Sequence, residues 1–504
     1  MPSTTRALSG TSAASRGAAS DRDARGAGRW RAFAARLAGR VSFYGALLLV
    51  ALSAIPYGSI EPWWANLFAA CAYALGALWA VESVLTGGLR LRRGQGLLLL
   101  PPIALALLSL IQTIPLSRDA SNAGGVTTAL RTAISADPFE TYDFALRLLA
   151  LTLLGAILLR FTVSRRRLAA VVLTVVLVGV LSALFGLARQ ALQTAETGFV
   201  LPSLPRGIGY GQIISRNQFA FMMEMTLGLS LGLAASRAGR YATRLFFLAL
   251  ALPACAALIL ANSRGGILTM LCQLLFLSAL VAPSWLGRRA RAERLEVDPR
   301  ARGLGSRAAS LAARAFVAVA IVSIVSVAVV WVGGERVVNN LSTVGEELGA
   351  QAQEETATRW NTRRVDIWRA TWKMFKENSV AGVGFGGYWA AIPQYHDASG
   401  EYIPQQAHND YLEILASGGI IGAVIFISFV LIFLRRALET LRGEDALRRA
   451  ACAGALAAIF GVAVHSLFDF GLHMTANAAL FVALVAVATA HVEGGGGGVA
   501  RPLA

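Results

Sequence analysis

Long apolar stretches recur along the chain, separated by polar loops that are alternately rich and poor in arginine. The stretches are 42–58, 64–84, 97–116, 142–162, 168–188, 217–235, 244–262, 265–283, 314–333, 411–434, 450–466 and 474–491. A helix needs about 20 apolar residues to cross hydrocarbon. The pattern therefore predicts an all-α integral membrane protein of about 12 transmembrane helices.

The arginines orient these spans. One set, including Arg29, Arg31, Arg36 and Arg40, precedes the first span. Arg165, Arg166 and Arg167 follow the fourth, Arg288, Arg289, Arg291 and Arg294 the eighth, and Arg435, Arg436 and Arg442 the tenth. Every second loop is basic, so the positive-inside rule puts both termini in the cytoplasm. The domain plan is a disordered basic tail over 1–40, spans one to nine over 41–333, and spans ten to twelve over 411–491. A basic cytoplasmic loop falls at 284–313, a long outward loop at 334–410 and a cytoplasmic tail at 492–504.

Composition sharpens this picture. The 504 residues are 56% hydrophobic and 15% charged, where a soluble domain carries roughly a quarter charged residues. The net charge of +17 is nearly all arginine, since Lys373 and Lys376 are the only lysines. Such an excess sets topology; no basic-aromatic pattern points to nucleic acid. Cys71, Cys255, Cys272 and Cys452 lie far apart in apolar runs, which excludes a CxxC metal site and argues against disulfides. The first apolar run is long enough to span, so no cleavable leader is expected.

A loop as long as 334–410 is expected to have structure or function of its own. Within it, residues 359–376 read as a helix, with Val365, Trp368, Trp372 and Phe375 on one face and Arg369, Lys373 and Lys376 beside them. The aromatic face points to lipid, or the helix packs on the bundle. Gly382, Gly384, Gly386 and Gly387 follow no strand, which excludes a dinucleotide fold. They read as a tight turn anchored by Phe385, with amides available to a phosphate.

Candidate chemistry gathers in the outward loops. Arg206, Arg216 and Arg264 sit there against the charge bias, and the last two open spans. Helix N-termini are already positive, so a cation there implies an anion, and guanidinium forks with helix-end amides suit a diphosphate. Interface snorkelling or pairing with Glu224 is the alternative. His408 stands where the long loop meets a span. Asp410 and Glu413 have N-cap and N3 spacing, so a helix is expected to begin at Asp410. The helix end and nearby arginines would then keep the His408 imidazole neutral, as a general base requires. His465 and Asp469 read as helpers, or equally as a capping or interhelical pair; HxxxD with no third ligand is a poor metal site. No metal or cofactor is expected.

The ordered motifs carry a resemblance. His408-Asn409, nine residues, then Gly419-Ile420-Ile421-Gly422 resembles the signature of the bacterial O-antigen ligase and O-antigen polymerase superfamily. Arg216-Asn217-Gln218-Phe219-Ala220 resembles that superfamily's Asn-rich span start, and Ser263-Arg264-Gly265-Gly266 its Ser-Arg-Gly turn. The segment from Arg359 through Arg363 and Trp368 to Gly387, and His465-Ser466-Leu467-Phe468-Asp469, extend the match over roughly 200–490. The resemblance implies a metal-independent glycan transferase or polymerase of the inner membrane, acting on the periplasmic side from an undecaprenyl diphosphate donor. His408 would take a proton from an acceptor hydroxyl while Arg216 and Arg264 hold the leaving diphosphate. Asn409, Asn217, Arg206, Arg359, Arg363, His465 and Asp469 would contact substrate. The acceptor, a further repeat unit or lipid A–core, is left open; protein acceptors fit less well.

The rival reading is a secondary transporter or lipid-linked-glycan flippase, which would also have about a dozen spans. It predicts ionisable residues at mid-membrane, and Glu224 is the clearest instance.

Overall fold

The computed structural model describes residues 10–55, 57–88, 91, 93–115, 133–193, 209–235, 241–293, 364–396 and 403–491. The long helices are α1 (Gly10–Ser53), α2 (Pro62–Thr86), α3 (Arg93–Gln112), α4 (Pro138–Phe161), α5 (Arg165–Leu192) and α6 (Arg216–Ala235). There follow α7 (Tyr241–Leu260), α8 (Arg264–Glu293), α9 (Arg364–Glu377), α10 (Asp410–Arg442), α11 (Ala446–His465) and α12 (Thr475–Thr489). Among the described residues, nine of these are long and apolar enough to cross a membrane, while Arg264–Leu280 and Thr475–Thr489 are shorter apolar helices. The protein is an all-α, multi-pass membrane protein. The expected span 314–333, the loop segment 334–363 and Arg206, Arg359 and Arg363 lie outside the described residues.

Two boundaries differ from the sequence reading. Helix α1 starts at Gly10, so much of the tail expected to be disordered is helical; its Ala/Arg-rich composition favours that state. Helix α10 is capped by Asn409, whose Oδ1 accepts the Tyr411 and Leu412 N–H groups at 3.1 Å each. Asp410 is thus the first helical residue and not the cap.

Helix α6 is the hub of the bundle, buried along nearly its whole length between α5, α7, α8 and α11. Its closest crossing is with α11. A Cβ on Gly232 would lie 2.2 Å from Gly454 Cα, and one on Gly228 2.7 Å from Ala458 Cα. This small-residue spacing lets two backbones touch where lipid offers no hydrophobic drive for association. Gln273 of α8 closes the triangle, donating to the Glu224 carbonyl at 3.0 Å and the Ala457 carbonyl at 2.9 Å.

The ends of the bundle differ in chemistry. At one end Arg165 pairs with Asp445 at 2.8 Å and Arg160 with Glu82 at 3.3 Å. At the other lie the starts of α6, α8, α10 and α12 and the end of α11, and here the candidate residues collect.

Helix α10 breaks at Gly419 (φ 62°, ψ −161°). The break frees the Ser417 carbonyl, which accepts Gly384 N–H at 3.0 Å and Gln112 Nε2 at 2.9 Å. Val383 N–H reaches Ala416 O at 2.9 Å, and Gly386 N–H reaches Thr141 Oγ1 at 3.0 Å. Phe385 lies against Gly418 and Gly422 and stacks on Phe144 at 5.1 Å. The glycine-rich turn is therefore a plug in the α10 kink. Its Val383, Gly384 and Gly386 amides are taken up by protein oxygens, which removes them from the expected phosphate role.

Candidate active site

Asp469 is the centre of the site. It lies in the turn between α11 and α12, with its side chain 3% exposed. One oxygen, Oδ1, accepts Phe470 N–H at 2.9 Å and faces His408 Nδ1 at 3.5 Å. The other, Oδ2, takes the Asn217 side-chain amide and faces the Arg364 guanidinium at 3.4 Å. Asn217 in turn accepts from Ser263 Oγ at 2.9 Å, so the starts of α6 and α8 are joined at Asn217 and Ser263. Burial alone would raise the Asp469 carboxyl. The His408 imidazole, the Arg364 charge and the Phe470 N–H outweigh burial and hold it below its usual value.

His408 adopts a left-handed backbone, φ 49°, rare for a residue with a Cβ. Its neighbours fix that shape. Ala407 donates its N–H to Glu413 Oε2 at 2.8 Å and accepts Trp368 Nε1 at 3.0 Å. The ring meets Phe470 edge-on at 4.8 Å and is partly exposed. The 3.5 Å approach to Asp469 is ion-pair range, longer than a closed hydrogen bond; such contacts tighten when substrate binds. The surroundings thus correct the expectation of a purely positive setting. A carboxylate faces Nδ1, which turns Nε2 outward as the basic nitrogen.

The other candidates divide. Arg216 and Arg264 are the first residues of α6 and α8, adjacent to Asn217 and Ser263, with Arg216 exposed and Arg264 half-buried. His465 is not at the surface: it is 1% exposed, its Nδ1 2.7 Å from Glu224 Oε1, its ring stacked on Phe221 at 4.1 Å. The interhelical alternative therefore holds, and His465 leaves the substrate-binding set. It also removes Glu224 as a partner for Arg216 and Arg264. Asn409 spends its carbonyl oxygen on the α10 cap. Helix α9 packs on the bundle through Ile367, Ala370, Thr371 and Met374, with Trp368 turned inward onto Ala407 and Trp372 exposed. Of the two readings left open, packing on the bundle describes the Trp368 side of the face, while Trp372 stays exposed.

Sequence reasoning passed over Arg364, and it named Ser263 and Asp469 without pairing Ser263 with Asn217 or Asp469 with His408. Arg364 was within reach of it, being the residue after Arg363 and the first of an amphipathic helix. Among the described residues no group of three His, Cys, Asp or Glu could hold a metal ion.

Residues 246–427 match the family model described as O-antigen ligase. The matched segment contains Arg264, Arg364, His408 and the Gly419 kink, and it supports the O-antigen ligase and polymerase superfamily for this chain. It supports glycan transfer of that type in surface-polysaccharide synthesis, by a glycosyltransferase-like enzyme with lipid-linked glycan and polysaccharide partners. A comparison with curated proteins gave no match.

Proposed function

We propose that this chain moves a glycan from an undecaprenyl diphosphate carrier to an acceptor hydroxyl on the periplasmic side of the inner membrane. The observation that carries the reading is the His408–Asp469 pair, ringed by Arg364 and by the helix starts that bear Arg216 and Arg264. His408 Nε2 takes the proton as the acceptor oxygen attacks the anomeric carbon. The bond from that carbon to the phosphate oxygen breaks, and the carrier diphosphate leaves as an anion. Asp469 steadies the imidazolium that forms, a stabilisation needed in the transition state and less before it. Arg216, Arg264 and Arg364 meet the developing charge on the diphosphate, with Arg206, Arg359 and Arg363 of the same outward loops as further candidates.

The test is His408→Ala at native expression in a deletion strain. Loss of a general base costs typically about 10²–10⁴-fold, so surface polysaccharide should vanish while the protein still accumulates. Wild-type polysaccharide in that strain would remove the mechanism. In the deletion strain itself, lipid-linked polymer marks a ligase and single lipid-linked repeat units mark a polymerase. Alkaline phosphatase fused near Gly349 should be active and near Arg294 inactive; the reverse would invert the orientation.

A further inference from the structure

Two segments meet behind the reacting pair: the start of α10, which carries His408, and the turn after α11, which carries Asp469. They are joined by a reciprocal contact. Asp410 N–H donates to Ser466 O at 2.9 Å, and Ser466 Oγ donates to Asp410 Oδ2 at 2.6 Å. Ser466 is buried, and the Asp410 side chain is 12% exposed.

This carboxylate has no helix-capping duty. Asn409 already serves the first N–H groups of α10. A buried carboxylate costs free energy unless it is bonded, and Asp410 is bonded across to the neighbouring segment. The Asp410–Ser466 contact stands two residues from His408 on one side and three from Asp469 on the other. The intervening turn is itself fixed, since the Phe468 and Asp469 N–H groups donate to His465 O at 2.8 and 3.1 Å. His473 braces the arrangement, with Nε2 3.6 Å from Asp410 Oδ1 and 3.5 Å from Glu413 Oε1. Glu413 holds Ala407, the residue on the other flank of His408.

We propose that the Asp410–Ser466 clasp, braced by His473, is a positioning device that sets the separation of His408 and Asp469; this rests on the glycan-transfer reading above. Asp410 and Ser466 act through the pair and touch no substrate. A misplacement of about 1 Å at a reacting group can cost on the order of 10²-fold. Ser466→Ala, which frees the clasp only in part, should lower turnover about tenfold with little change in donor KM.

The experiment is a double-mutant cycle on the full-length protein in detergent. The donor is the lipid-linked glycan extracted from the deletion strain. Wild type, Ser466→Ala, Asp469→Asn and the double variant are compared, with melting temperatures alongside. On the Asp469→Asn background Ser466→Ala should cost less than about twofold, because nothing is left to position. Ser466→Thr, which keeps the hydroxyl, should restore most of the turnover. Asp410→Ala opens the clasp from the other side and should give the same non-additivity, which keeps the test alive if Ser466→Ala accumulates poorly. Equal losses on both backgrounds, or no loss on wild type, would overturn the positioning role. A His408→Ala control that stays active would instead sink the underlying mechanism, so the two failures are distinguishable.

Discussion

Replacing Asp469 by asparagine keeps the shape of the side chain and removes one oxygen. The structure says where the remaining oxygen must go. At the Oδ2 position it would accept from Asn217 and from the charged Arg364; at the Oδ1 position it would accept from Phe470 N–H and face His408. A charge-assisted bond is roughly twice as strong as a neutral one, so the oxygen turns to Arg364. The amide NH₂ then faces His408 Nδ1, which must become the acceptor. The imidazole proton moves to Nε2, and the nitrogen that should take the acceptor proton has no lone pair.

The size of the loss follows from the same geometry. Two unit charges 3.5 Å apart interact by about 5 kcal/mol at an effective dielectric of 20. His408 is 28% exposed, so screening reduces this to roughly 2–3 kcal/mol. At about 1.4 kcal/mol per decade that is on the order of 10²-fold in turnover, with the tautomer change adding to it. The assay is single-turnover transfer from the extracted lipid-linked glycan by wild-type and Asp469→Asn protein at matched concentration. A variant within threefold of wild type would refute the argument, because no orientation of the amide preserves the carboxylate's contacts.

Other consequences are as direct. His465→Ala leaves Glu224 buried and unpaired, which costs about 3 kcal/mol or more; detergent melting should fall, and the rate per folded molecule should fall far less than in His408→Ala. Gly419→Ala places a side chain at φ 62°, ψ −161° with its Cβ 2.3 Å from Val380 O; a Cβ in that essentially glycine-only region alone costs roughly 1–3 kcal/mol, so the variant should melt lower and accumulate less on immunoblots. Arg216→Lys and Arg264→Lys should each lose most of the transfer rate, since lysine offers a point charge in place of a fork, and EDTA should leave the wild-type rate unchanged. The Asp469 carboxyl is lowered in the folded state, so its contribution to stability is complete above the unfolded value of about 3.9 and is lost as pH falls through the lower folded value. The melting difference between wild type and Asp469→Asn should therefore close below about pH 4.

The transmembrane architecture was legible because an apolar run long enough to span is a local signal. Helices cover eleven of the twelve predicted stretches, and the remaining one, 314–333, lies outside the described residues. The site was legible only in part. Arg216, Arg264 and His408 stand out by position, as polar residues at span ends. Asp469 was named as a helper but not as the centre, because its partners Asn217 and Arg364 are 252 and 105 residues away. His408 and His465 look alike in sequence, both at the edge of an apolar run. What separates them is Glu224, 241 residues from His465, and no local pattern carries that distance. The Gly-x-x-Gly element was legible as a motif but not as a receptor, since its meaning depends on Phe385 and Gln112 arriving from other parts of the chain.

The same long-range contacts bear on the rival transport reading. A group on a proton or ion path through the membrane has to face its partners in turn and meet water at some point. Glu224 meets neither condition in this arrangement. Its side chain is 0% exposed and held by His465 at 2.7 Å, in a helix whose glycines touch the backbone of the helix that bears that histidine. Gly265, the second residue of α8, presses on the His465 ring from the other side, where a Cβ would lie 2.6 Å from Nε2. This acid–imidazole pair therefore works as a rivet between α6 and α11, on the same seam as the Gly232–Gly454 crossing but nearer the site. A rivet at that place has a consequence for the site. Asn217 is seven residues before Glu224 on α6, and Asp469 is four after His465, so the pair fixes the two segments that meet at the Asp469 carboxylate. The buried histidine supports the chemistry of the exposed one through structure alone.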